Sequence, residues 1–79
     1  MEPTPLRIPR AGQTMTEATL LEWLVADGAA VRAGDPIYRI ETDKVELDIE
    51  APVDGVLHHI GAPGVVYEVG VHIGEIVIE

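Results

Sequence analysis

The sequence predicts an all-β fold, a flattened barrel or sandwich assembled from two related halves. Three observations carry this reading. The apolar residues make up 47% of the chain and are Val, Ile, Leu and Ala, with no Phe, one Trp and two Tyr; β-branched side chains of this kind favour strands. Eight glycines and six prolines among 79 residues supply enough turn positions to keep those strands short. A shift of 36 residues then lays the chain on itself: Leu21 falls on Leu57, Ala26 on Ala62, Gly28 on Gly64, Gly34 on Gly70, Ile37 on Ile73 and Ile40 on Ile76. Leu24 on Ile60 is a conservative match.

Taken in order, the first strand is expected near 5–8. Residues 17–26 could form a helix by propensity, but Thr19 to Val25 fits a buried strand equally well. The repeat decides, because its second copy, Val56 to Ile60 followed by Gly61, Pro63 and Gly64, makes a poor helix. Strands are therefore expected at 18–25 and 55–60. The repeated glycines read as turns needing positive φ or close backbone approach, with short strands at 29–32 and 65–68 between them. Ile37 to Thr42 forms a strand at 37–42. After Lys44 the pattern alternates, with Val45, Leu47 and Ile49 on one face and Glu46, Asp48 and Glu50 on the other, giving a strand at 45–50 with an acidic outer face. The last strand is expected near 75–78. Neither half can bury its apolar face alone, so residues 1–79 are expected to form one domain.

Composition excludes several functions. No cysteine is present, which removes disulfides, thiolate metal sites and a cysteine nucleophile. A net charge of −9, from 14 acidic and 5 basic residues, disfavours nucleic acid and anionic membrane as partners and favours basic protein surfaces. The opening Met1 to Pro5 is no secretory signal, and no apolar run approaches the roughly 20 residues of a membrane span. Cytoplasmic residence, or the mitochondrial matrix in a eukaryote, is expected. His58 and His59 are adjacent and point to opposite faces of a strand, so with His72 as the remaining histidine no metal site is expected. Trp23 is expected in the core. No Ser-His-Asp arrangement, phosphate-binding glycine loop or calcium loop occurs, and no catalytic residue is assigned.

Between the strands at 37–42 and 45–50 lies Asp43-Lys44, where the chain reverses. Asp suits a turn; Lys is not a residue that turn geometry asks for. Such a lysine either offsets nearby carboxylates and keeps the hairpin soluble, or it is a handle for enzymatic acylation flanked by acids that the modifying enzyme reads. The hairpin alone leaves both open.

The whole chain favours the handle. Ile40-Glu41-Thr42-Asp43-Lys44-Val45 resembles the lipoylation motif of the biotinyl/lipoyl attachment family, found in acyltransferase components of 2-oxoacid dehydrogenase complexes. Pro9 to Ala18 is similar to that family's first strand and exposed loop. Trp23-Leu24-Val25 with Gly28 and Gly34-Asp35 resembles its second strand and turns, and Ala51-Pro52-Val53-Asp54-Gly55 resembles its segment just after the lysine hairpin. The resemblance spans about residues 5–79. It departs from the usual pattern at 64–70, which is more apolar and where Tyr67 is expected to be core, and at Ala11 beside Gly12.

The resemblance implies two four-stranded antiparallel sheets related by a pseudo-two-fold, a barrel-sandwich hybrid. It implies lipoate joined by an amide to Lys44, with Asp43 and Val45 as recognition flanks. It implies a non-catalytic carrier, part of a dihydrolipoamide acyltransferase, that is loaded by a lipoate ligase or octanoyl transferase. Its further partners would be a thiamine-diphosphate 2-oxoacid decarboxylase, the acyltransferase catalytic domain and dihydrolipoamide dehydrogenase. The loop at 10–17 should lie beside the lysine, making Gln13, Thr14 and Glu17 candidate partner contacts together with Glu41 and Glu46. Biotin carriers of this fold usually set their lysine between two methionines; Asp43 and Val45 here favour lipoate. The glycine-cleavage carrier is longer. An unmodified interaction module that kept the fold is the remaining alternative.

Overall fold

The computed structural model describes residues 3–10 and 15–78. They form eight strands: β1 (Thr4–Arg7), β2 (Glu17–Trp23), β3 (Ala30–Val31), β4 (Pro36–Glu41), β5 (Glu46–Glu50), β6 (Gly55–His59), β7 (Val65–Glu68) and β8 (His72–Val77). The segment that propensity left between helix and strand is β2. One sheet has the order β1-β8-β6-β3 and the other β5-β4-β2-β7, with every neighbouring pair antiparallel. The sheets face each other and do not close into a barrel.

The 36-residue repeat is physical. The central strand β2 pairs with β4 and β7, and its mate β6 pairs with β8 and β3. The backbone bonds repeat as well. Leu24 N–H donates to the Ile37 carbonyl at 2.8 Å, and Ile60 N–H to the Ile73 carbonyl at 3.0 Å. Gly28 and Gly64 have φ of 84° and 82°, and Gly34 and Gly70 have 94° and 90°. These left-handed turns cost glycine little and would strain other residues, which explains why these four positions keep their identity across the repeat.

The register corrects one detail. Leu20, not Leu21, sits opposite Ile40, as Leu57 sits opposite Ile76. A bulge in β2 takes up Leu21 between Leu20 and Glu22, so the Leu21/Leu57 identity aligns residues with different roles. Gly28 and Gly64 agree, since their N–H groups donate to Leu57 and Leu20 respectively, both at 2.7 Å.

The core lies between the sheets and holds Leu6, Leu20, Ile37, Ile40, Leu57, Ile73 and Ile76, all buried. Each such side chain contributes roughly 1.5–3 kcal/mol by leaving water. Tyr38 is buried with them, its hydroxyl donating to the Arg7 carbonyl at 3.0 Å. Burial pushes its phenol up to about 12, so it remains a donor.

Trp23 and His59, themselves 36 residues apart, meet where the two halves join. Their rings stack with centroids 4.1 Å apart and planes 10° from parallel. Trp23 Nε1 donates to the Gly61 carbonyl at 3.0 Å, and His59 Nε2 reaches the Val25 carbonyl at 2.8 Å. Each ring thus finds the carbonyl two residues beyond its mate. A carbonyl only accepts, so His59 Nε2 carries a proton. His58 turns the other way, its Nδ1 3.9 Å from Asp27 Oδ1.

On the outer face of the second sheet, Arg39 of β4 bridges its neighbours. It donates to Asp48 Oδ1 of β5 at 2.7 Å and to Glu22 Oε1 of β2 at 3.1 Å. The Arg39 hydrogen bond holds the Asp48 carboxyl below its ordinary value of 3.8. A depressed carboxyl stabilises the fold above the unfolded value and loses that contribution as pH falls through the folded one. Thermal melts of the parent chain should therefore fall more steeply below about pH 4 than those of Asp48→Asn. Because the pair is exposed, the difference should be small and shrink in high salt. Parallel acid limbs would contradict this.

Candidate functional site

β4 and β5 form a hairpin whose last rung pairs Glu41 with Glu46. The strands end there, so the reversal is the four residues Thr42-Asp43-Lys44-Val45, with Asp43 and Lys44 at its tip. Val45, expected as the first inward residue of β5, belongs to this turn and is 48% exposed; the alternation holds from Glu46 to Glu50. The two-residue hairpin turns that best match strand twist need positive φ at the tip. No described residue other than glycine has positive φ, so this is a different turn, and Thr42 shapes it. Its N–H donates to the Val45 carbonyl at 2.8 Å. Its hydroxyl oxygen accepts the N–H of Lys44 at 3.2 Å and of Val45 at 3.1 Å, and the hydroxyl donates to the Val45 carbonyl at 3.3 Å. Sequence reasoning missed Thr42 because a threonine at a strand end reads as a strand former. The available signal was the ability of Ser and Thr hydroxyls to bond backbone two or three residues on.

Lys44 is the one lysine in the sequence. It is exposed, and its ammonium has no ion pair or hydrogen bond with any described residue. Three carboxylates surround the tip without engaging it. Glu41 and Glu46 oppose each other across the last rung, and Asp43 precedes the lysine. Like charges directly opposite each other weaken a strand pair. This hairpin end therefore gives up some stability for its acidity.

The hairpin forms one wall of an open groove of about 460 Å³. Glu41, Thr42 and Asp43 line it together with Met15, Thr16 and Glu17. Two of the expected contact residues, Glu17 and Glu41, thus line one groove together with the recognition flank Asp43; Glu46 and the other flank, Val45, do not line it. Gln13 and Thr14 lie outside the described residues. Tyr67, expected as core, is half-buried, packs against the core and accepts the Ala62 N–H at 2.8 Å.

The described residues thus form an eight-stranded, internally repeated sandwich that presents the one lysine on a hairpin tip. The family model described as biotin-requiring enzyme, spanning biotinyl and lipoyl attachment domains, matches residues 4–77. The chain belongs to the biotin/lipoyl attachment family. Within that family it is similar to acyltransferase components of 2-oxoacid dehydrogenase complexes. It is 40% identical over 58 residues to the dihydrolipoyllysine-residue acetyltransferase component of the Mycobacterium bovis pyruvate dehydrogenase complex, covering 73% of this chain and 10% of that protein. The Zymomonas mobilis counterpart is 43% identical over 58 residues, 73% of this chain and 13% of that protein. The dihydrolipoyllysine-residue succinyltransferase component of the Rickettsia felis 2-oxoglutarate dehydrogenase complex is 39% identical over 70 residues, 87% of this chain and 18% of that protein. The chain therefore spans less than a fifth of the length of these relatives. Their similarity supports a lipoyl-carrier role for this attachment domain.

Proposed function

We propose that this domain carries lipoate as an amide on Lys44 and presents it to the enzymes of a 2-oxoacid dehydrogenase complex. The observation that carries this is the exposed ammonium of the one lysine, unpaired among the described residues and fixed at the tip of a hydrogen-bonded turn. An amine so placed fits amide formation: it has no ion pair to break there, and the sheet behind it limits where it can point. Held on Lys44, the dithiolane would supply acyl-carrying and redox chemistry to a thiamine-diphosphate decarboxylase, an acyltransferase that uses coenzyme A, and dihydrolipoamide dehydrogenase. Beyond the amide that Lys44 Nζ forms when it is loaded, the domain's own residues perform no bond chemistry in this reading. They hold the amine outward, and tethering raises the local concentration of the arm at each partner. Asp43 and Val45 flank the lysine as recognition residues, and Glu17, Glu41 and Glu46 supply acidic contacts to basic partner surfaces.

Lipoate rather than biotin is favoured by the non-methionine flanks and by the names of the relatives. Incubating the chain with lipoate ligase, ATP and lipoate should add one lipoyl group by intact mass, while biotin ligase with ATP and biotin should add none. A biotin adduct would make the domain a carboxylase carrier. Loading by neither ligase would leave it an unmodified module.

A further inference from the structure

We infer that Thr42 is a positioning residue for acylation of Lys44, acting through its side-chain hydroxyl; this rests on the carrier reading above. The tip residues lack the positive φ of the turns that match strand twist, so the flanking strands tend to splay at this point. The Thr42 hydroxyl opposes that by collecting the two N–H groups just past the reversal, Lys44 at 3.2 Å and Val45 at 3.1 Å. It stands in for a backbone carbonyl, and it fixes the peptide on both sides of the lysine Cα. The direction in which the side chain leaves the hairpin is set by that peptide. The nearby carboxylates cannot do this work, since neither Glu41, Asp43 nor Glu46 bonds to the turn backbone or to the ammonium.

The step affected is an acyl transfer without redox change. The unprotonated Lys44 Nζ attacks the carbonyl carbon of the lipoyl-adenylate that a ligase makes from lipoate and ATP. A C–N bond forms as the C–O bond to AMP breaks, and the proton displaced from nitrogen passes to water. Thr42 touches none of the reacting atoms. It raises the fraction of chains whose tip already has the shape the ligase must bind, so its loss reduces apparent affinity by that fraction and leaves the bound-state rate alone.

The test compares Thr42→Val, which keeps the shape but removes the hydroxyl, with Thr42→Ser, which keeps the hydroxyl. Loading by lipoate ligase with ATP and lipoate is followed by intact mass, and amide hydrogen exchange is read at Lys44 and Val45. Thr42→Val should lower kcat/KM about ten-fold, the worth of one to two backbone hydrogen bonds, with the change in KM and faster exchange at both amides. Thr42→Ser should stay within about two-fold of the parent, because it retains the acceptor. Thr42→Val loading at the parent rate, or Thr42→Ser failing as badly as Thr42→Val, overturns the role of the hydroxyl. A loss confined to kcat also overturns it, since pre-organisation acts before binding. If the parent chain itself takes no lipoate, the carrier reading fails and this role fails with it.

Discussion

A Lys44→Arg chain is expected to gain no mass from lipoate ligase, ATP and lipoate under conditions expected to load the parent fully. Arginine keeps the positive charge and the exposed position, so the turn and the surrounding field change little. What it lacks is a nitrogen that can become a free nucleophile, because the guanidinium stays protonated and its electrons are delocalised. The effect is all or none. The sequence contains no second lysine, which leaves the chain's amino terminus as the remaining amine. Stability should move by less than about 0.5 kcal/mol, as for other exposed substitutions, so a lost adduct is not a lost fold. Peptide mapping completes the assignment: an adduct on the amino terminus, or one surviving Lys44→Arg, would remove Lys44 from the site.

Gly55→Ala should produce the largest loss of stability. Gly55 opens β6 between β3 and β8, pairing with Val31, and has φ of 157°. A Cβ there would lie 2.6 Å from Ile76 Cγ2 and 2.6 Å from the Val77 carbonyl oxygen. Ile76 is fully buried and the carbonyl is backbone of β8, so neither can yield without parting two strands. Overpacking of this kind costs about 3 kcal/mol, a large fraction of the roughly 4–12 kcal/mol expected for a chain of this length. The melting temperature should fall by about 15 °C. Gly28→Ala is the control. Its φ is also positive, but nothing lies within 4 Å of the added Cβ, and the cost should be about 1–2 kcal/mol. Circular dichroism melts of both variants read the difference; equal losses would show that the close approach of β8 does not matter.

The architecture was legible because it is written twice. All eight strands fall where turn glycines and apolar runs put them, and the choice of strand for Glu17–Trp23 came from its second copy. Two details fell elsewhere, each for its own reason. β8 begins at His72 rather than near 75, although shifting β4 by the repeat would have given the longer strand. The bulge at Leu21 was invisible because an inserted leucine in an apolar run leaves no compositional mark. At the site, the place of Lys44 at the hairpin reversal and the acids around it could be read from residue order, while its reading as a handle needed the resemblance of the whole chain. The role of Thr42 could not, because it depends on two backbone N–H groups converging on a hydroxyl, and that convergence exists only once the strands are paired.

The seam between the repeats holds the protein's one indole, wedged against an imidazole from the opposite copy. This gives the molecule a built-in optical gauge. Emission from Trp23 should change only when the halves come apart, and it should do so at the same denaturant concentration as the loss of sheet signal. Chemistry confined to the hairpin tip should leave its colour and intensity untouched.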